Sequence, residues 1–414
     1  MTDTSTRIDV ERVLGRLEDL ATIGAIAETT GVARLALSDD DREGRNLVVS
    51  WMRDLGLDIR VDAIGNVAGV WEGREPNARP VMCGSHIDTV KTGGRYDGAY
   101  GVLAGLEVIE SLIERGIRPR RPIAVAFFTD EEGSRYAPDM LGSLVYVGGM
   151  TVEAARDVVG IDGTVLGVEL DRIGYAGPLP CPMVVPHAFV ELHIEQGPAL
   201  EAGGYTIGAV TGVQGISWQE LTFVGQSNHA GTTPMAMRRD AGYVAALVAS
   251  HVREMVTDIG GVQVGTVGAI DLHPNLVNVV AARATMTVDL RNTDDEVLRE
   301  AEKALDRFVE RAARDEGVAV ESRQLARFEP VRFDERLVEL VEASARAFGY
   351  RVRRLPSGAG HDAQMLARLC PAAMIFVPSH DGLSHNVAEH TDPDDLAAGI
   401  NVLFEVLLQL AEED

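Results

Sequence analysis

Cysteine is scarce in this chain. Cys83, Cys181 and Cys370 are its three cysteines in 414 residues, far apart and without a CxxC pair. That argues against a disulfide framework and reads as buried thiols in a reducing compartment, so a cytoplasmic location is expected. Long apolar runs are missing as well. No stretch approaches ~20 consecutive apolar residues, so no membrane span is expected. The N-terminal MTDTSTRIDVERVLGRL is polar and then amphipathic, without the apolar centre of a signal peptide. Positive charge is in short supply. With 38 Lys and Arg against 63 Asp and Glu the net charge is -25, which argues against nucleic acid and anionic membranes as partners. No low-complexity segment or internal repeat is evident.

What is present is ordinary globular composition, 46% apolar and 24% charged, in a chain too long for one core, so two domains are expected. Several short apolar runs each lead into a polar cluster. RPVMCGSHID ends a strand at Ser85 and His86, and PIAVAFFTDEEGS ends one at Asp130, Glu131 and Glu132. AFVELHIEQGP ends near His193, and AAMIFVPSHDGLSH leads towards His385. Continuous apolar strands separated by helical patterns predict a mostly parallel α/β sheet covered on both faces. After Asp97, Val102, Leu106, Ile109 and Ile113 recur at helical spacing, so a helix starts close to Asp97. The middle of the chain reads as β-α-β-β-α-β, a ferredoxin-like α+β unit. The expected division is residues 1–212 and 328–414 as a discontinuous α/β domain, with 213–327 inserted.

In open α/β sheets ligands bind beyond the carboxyl ends of the strands. His86, Asp97, Glu131, Glu132, His193 and His385 all fall at or just after such ends. Nitrogen and oxygen donors converging on one edge can hold two divalent metals with one carboxylate bridging. The donor set suits Zn²⁺, and also Mn²⁺, Co²⁺ or Ni²⁺. Each residue also has a plainer reading. A single histidine at a strand end is ordinarily a satisfied loop residue, Asp97 before a helix is by default an N-cap, and Glu131-Glu132 can be two solvated carboxylates.

The motifs GSHIDTV, GGRYDG, DEEGSR, LHIEQGP, NHAGTTPM, SGAGHDA and SHNVAEHT, spread from about Asn46 to Thr391, together resemble the M20-type metal amidohydrolases, in the N-carbamoyl-L-amino-acid hydrolase and allantoate amidohydrolase group. The resemblance implies a zinc-exopeptidase-like catalytic domain with an inserted lid and dimerisation domain, two divalent metal ions per subunit, and a homodimer. Asp97 would bridge the metals, His86 and His193 would complete one, and Glu132 and His385 the other. Asp88 would orient His86 from behind, and Glu131 would be the general base. His229 would serve the oxyanion from a neighbouring subunit. Asn278 and Arg291 would bind the substrate carboxylate, with Gly360 donating a backbone N–H; Gln196 and His361 are further pocket residues. The implied substrate is a small carboxylate-bearing ureido or amide compound. N-carbamoyl-L-amino acids come first, with allantoate and other N-acyl amino acids as alternatives. A non-enzymatic relative of the same fold would be expected to have lost the base or a ligand, and every one of those positions is filled.

Overall fold

A computed structural model describes residues 8–414; the first seven residues of the polar N-terminal stretch read above lie outside them. The chain divides into two compact units, Met1–Gly212 with Arg332–Asp414, and Val213–Val331. In chain order the strands are β1 (Asp58–Val61), β2 (Val67–Trp71), β3 (Val81–His86), β4 (Ile123–Phe128), β5 (Ala188–Ile194) and β6 (Ile207–Val213). The middle of the chain adds β7 (Gly215–Val224), β8 (Val264–His273), β9 (Arg283–Asn292) and β10 (Ala319–Phe328). The last part adds β11 (Val331–Arg332), β12 (Val352–Ser357) and β13 (Ala372–Val377).

The larger unit is built on one sheet in the order β1-β2-β4-β3-β5-β13-β6-β11, with β12 also pairing β6. Its centre, β4-β3-β5-β13, is parallel. Every residue of these four strands is buried, which is why they read as unbroken apolar runs. The flanking strands differ: β2 runs antiparallel to β4, β1 to β2, and β6 to β13. The sheet is therefore parallel where its apolar runs are continuous and antiparallel towards its edges. The helices Ala99–Glu114 and Pro393–Glu412 pack on its central strands. Val102, Leu106, Ile109, Leu403 and Leu407 are buried on them, whereas Ile113, at the end of the first, is 41% exposed.

The smaller unit is a four-stranded antiparallel sheet, β10-β7-β9-β8, carrying the helices Ala241–Ile259 and Asp295–Glu316 against it. The order along the chain is β-α-β-β-α-β. On β9, Ala284, Met286, Val288 and Leu290 alternate into a core shared with Val244, Val248, Leu298 and Leu305, as the period of two requires. Asp240 and Asp294 cap the two helices by accepting backbone N–H groups, and Gly317 ends the second. Among the described residues no helix is long and apolar enough to cross a membrane.

Candidate metal centre and active site

Because β3, β4, β5 and β13 are parallel, their carboxyl ends share one edge of the sheet, and the polar clusters that follow them meet there. His86 is the last residue of β3 and His193 the last but one of β5. β4 stops at Phe128, two residues before the end expected from sequence. Asp130 has a left-handed φ of 56°, so the chain turns there, and the Asn66 side chain accepts the N–H of Thr129. That turn sends Glu131 and Glu132 back over the edge.

Asp97 does not cap the helix that follows it. The N-cap position is Gly98, with no side-chain cap bond. The carboxylate is instead surrounded by ring nitrogens and side-chain donors. Its Oδ1 lies 3.2 Å from His193 Nε2 and 3.6 Å from His86 Nε2. Its Oδ2 lies 3.5 Å from His385 Nε2 and accepts from Gln196 Nε2 at 2.9 Å and Ser384 Oγ at 3.2 Å. His385 Nε2 is also 3.2 Å from Glu132 Oε2. Two groupings result, His86–Asp97–His193 and Asp97–Glu132–His385, which share Asp97 through its two oxygens. Gly98 makes the first possible. Its φ is 66°, and a Cβ there would come within 2.4 Å of the His86 ring.

The chemistry of these donors fits a divalent cation. His86 Nδ1 faces the Asp88 carbonyl at 3.0 Å and His193 Nδ1 the Ile194 carbonyl at 2.8 Å. A carbonyl only accepts, so each Nδ1 carries a proton and each Nε2 is turned towards Asp97 Oδ1, that of His193 also meeting the Gly98 N–H at 3.2 Å. Ring nitrogens facing a carboxylate at these distances are held to it by a cation, either a proton on the ring or a metal ion. Glu132 Oε1 is buried without a hydrogen-bond partner, a second sign of an anionic pocket awaiting positive charge. A third grouping, Glu191–His193–His361, is not an independent site. Glu191 accepts from Ser85 Oγ at 2.6 Å and from the Ala363 N–H at 2.7 Å, and His193 Nε2 already faces Asp97 and the Gly98 N–H.

Electrostatics follow from this crowding. Burial disfavours the Asp97 charge, yet His193 and His86 hold its carboxyl well below the usual range. Burial also opposes the charged form of His86, but Glu131, Asp97 and Asp88 outweigh it and raise its pKa well above that of a free imidazole. His385, half-exposed, is pushed up to about 9, chiefly by its hydrogen bond to Glu132. Glu131 is 7% exposed, and burial drives its pKa well above the carboxylate range. Its Oε2 stands 3.4 Å from His86 Nε2.

The other expected residues distribute as follows. The contact that orients His86 comes from the Asp88 backbone carbonyl; the carboxylate is 3.9 Å from Nδ1. That carboxylate faces the N–H groups of Glu131 at 3.4 Å and Glu132 at 3.3 Å, and burial pushes its pKa up to about 6. Gln196 has a left-handed φ of 56° and donates to Asp97 from beside the pocket. His361 is buried edge-on to the His193 ring, 4.7 Å between centroids, with Nε2 at 2.9 Å from Ser357 Oγ. Burial drives its pKa well below the usual imidazole value, so it is neutral. Gly360 precedes it in the same turn.

His229, Asn278 and Arg291 belong to the smaller unit. His229 and Asn278 lie together. The segment 228–230 pairs with 278–280 through the bonds Ala230 N–H to Asn278 O and Val280 N–H to Asn228 O. Both side chains are exposed, and His229 Nδ1 accepts from the Gly231 and Thr232 N–H groups, leaving Nε2 to point outward. Arg291 is elsewhere. β7 leaves the sheet at Val224, opposite Arg283, and Arg291 is eight positions further along β9, about 26 Å at ~3.3 Å per residue. Its guanidinium engages Asp289 at 2.9–3.2 Å and sits over the Trp218 ring. The structure thus joins His229 to Asn278 and separates both from Arg291.

Sequence reasoning did not single out Ser384, Glu191 or Glu389. Ser384 and Glu389 both stand within SHNVAEHT, and Glu191 is two residues before His193 on β5. As a charged residue in the middle of an apolar strand, Glu191 carried a usable signal.

Residues 82–409 match the peptidase family M20/M25/M40. The chain is 40% identical over 406 residues to an N-carbamoyl-L-amino-acid amidohydrolase of Rhizobium meliloti, covering 98% of this chain and 97% of that protein. It is 33% identical over 420 residues to a ureidoglycolate hydrolase of Arabidopsis thaliana, covering 99% and 88%. A crystal structure of an amidase of the hydantoinase/carbamoylase family from Burkholderia multivorans is 46% identical, with a TM-score of 0.94 and 99% of each chain covered. With the family match spanning most of its length and end-to-end kinship in sequence and fold, this chain belongs to the M20 peptidase family, in its hydantoinase/carbamoylase group of amidohydrolases acting on non-peptide C–N bonds.

Proposed function

We propose that this amidohydrolase cleaves the carbamoyl C–N bond of N-carbamoyl-L-α-amino acids, releasing the amino acid, CO₂ and ammonia. The observation that carries the reading is the end-to-end kinship with an N-carbamoyl-L-amino-acid amidohydrolase. Two divalent ions, Zn²⁺ or Mn²⁺ with Co²⁺ or Ni²⁺ as further candidates, would be held by His86, Asp97 and His193 and by Asp97, Glu132 and His385. When bound they supply Lewis acidity at the carbamoyl carbonyl and a lowered pKa for water. The remaining work falls to the chain. Glu131, buried beside the groupings without belonging to either, takes the proton of the attacking water on its carboxylate. It then delivers that proton to the amino acid nitrogen as the C–N bond breaks. The carbamic acid left over falls apart into CO₂ and ammonia. Asp88 holds the backbone of Glu131 and Glu132, so the base and its neighbour keep distinct directions.

Arg291 and Asn278 bind the substrate carboxylate, the arginine through its planar fork, with Gly360 donating a further N–H and Gln196 lining the pocket. His229 stabilises the oxyanion. The spacing along β9 supports a shared site: a small substrate cannot span both ends of one sheet. His229 and Asn278 therefore come from a second copy in a homodimer built through the inserted unit, which also acts as the lid. A second reading, hydrolysis of ureidoglycolate, is favoured by the plant relative; that substrate likewise joins a ureido group to a carboxylate. The discriminating experiment is an ammonia-release panel of N-carbamoyl-L-amino acids, ureidoglycolate, allantoate and N-acetyl amino acids on metal-reconstituted protein. The fastest turnover on a carbamoyl amino acid is expected, and preference for ureidoglycolate would move the substrate assignment.

A further inference from the structure

Asp97 must serve two groupings at once, and one donor of the second, His385, reaches it from a segment nearly three hundred residues away. The buried tie between the two segments at the Asp97 backbone is Glu389. It is 4% exposed, and its Oε1 accepts the backbone N–H of Tyr96 at 3.0 Å and of Asp97 itself at 3.2 Å. Its Oε2 is buried with no hydrogen-bond partner. Among the described residues no Arg, Lys or His side chain forms an ion pair with it. A glutamine could accept the same two N–H groups without the desolvation penalty of a charge.

The chain makes room for this contact. A Cβ on Gly94 would fall 2.1 Å from Glu389 Oε1. Two further ties run alongside at the surface: Thr92 Oγ1 donates to the His385 carbonyl at 3.3 Å, and Thr30 Oγ1 to the Val387 carbonyl at 2.7 Å. His385 itself is half-exposed and has a left-handed φ of 53°, a conformation that persists only where neighbours hold it. We infer that Glu389 is a positioning residue: it locks the Asp97 backbone to the His385 segment and so keeps the Asp97–Glu132–His385 pocket assembled for its cation. The inference rests on the two-metal reading proposed above.

The test uses metal-free full-length protein reloaded with Mn²⁺ or Zn²⁺, with bound ions counted by elemental analysis and affinities measured by calorimetry. In Glu389→Ala one ion should stay within about threefold of its wild-type affinity, while the second weakens ~10–100-fold, the range for losing a residue that orients ligands. Turnover should fall at the same time with KM little changed. Glu389→Gln, which can still accept both N–H groups, should restore the second ion to within about tenfold. Gly94→Ala, which displaces the carboxylate without touching it chemically, should reproduce the loss and serves as the readout if Glu389→Ala does not fold. Two ions at wild-type affinity in Glu389→Ala, or in Gly94→Ala where that is the readout, would overturn the inference. So would parallel loss of both ions along with the thermal stability of the metal-free protein, since that marks a merely structural role. Wild-type protein binding fewer than two ions would instead overturn the two-metal reading.

Discussion

Metal uptake by this protein should be coupled to proton release, and the coupling is largest at His385. Its ring lies 3.2 Å from Glu132 and 3.5 Å from Asp97, and these neighbours push its pKa up to about 9. A cation needs the neutral ring. With a gap of two units, roughly one molecule in a hundred has that ring neutral at pH 7, so the proton must leave as the ion enters. The sign is fixed by the raised pKa: the charged ring is what the metal-free protein holds, so affinity is weakest at low pH. It climbs about tenfold per unit and levels as pH passes about 9. His86 and His193 are raised as well and add the same sign on the other side. The assay is calorimetric titration of metal-free protein with Mn²⁺ or Co²⁺ between pH 6.5 and 8, in buffers of different ionisation enthalpy. About one proton should be released with the His385-side ion, and His385→Ala should lose that component. Equal affinity at both ends of the range, with no proton release, would refute the reasoning.

Three further outcomes follow from the proposed roles. Glu131→Gln should keep its metal content while turnover falls ~10²–10⁴-fold, the range for a general base; near-normal turnover would remove Glu131 from that role. Arg291→Lys should raise KM, and methyl esters of the substrate should lose roughly ten- to a hundredfold in kcat/KM, because a charged bidentate contact contributes about 1.5–3 kcal/mol; equal rates for acid and ester would end the carboxylate assignment. Mixing His229→Ala with Glu131→Gln protein should regenerate part of the activity through hybrid dimers, and none should appear if each site is built from one chain.

Much of this was legible before any coordinates. Four apolar runs ending in polar clusters define the parallel centre of the sheet, and parallel strands necessarily bring those clusters to one edge. That is why His86, Glu132, His193 and His385 could be named together. Apolar continuity cannot report direction, so the antiparallel outer strands β1, β2 and β6 were not separable from the parallel ones. Local signals taken singly are ambiguous. Asp97 stands before a helix as a cap would, yet its side chain is drawn off by three histidines and Gln196, and Gly98 takes the cap position. Asp88 lies two residues from His86, but a chain leaving a strand turns its carbonyl to the ring and its carboxylate elsewhere. Glu389 was invisible because its partners are backbone N–H groups, which no side-chain pattern encodes. The separation of Arg291 from Asn278 is a matter of register along β9, and that requires knowing which strand end His229 folds back onto.

The central claim is that two cations held around Asp97 make this chain a carbamoyl hydrolase. Its most direct test is ammonia release from N-carbamoyl-L-methionine by protein stripped of metal and reloaded stepwise, with ions per chain counted at each step. The account predicts negligible release from stripped protein, a maximum at two ions per chain, and no activity in Asp97→Ala at any loading. Undiminished release from stripped protein, or a maximum below two ions, would contradict it.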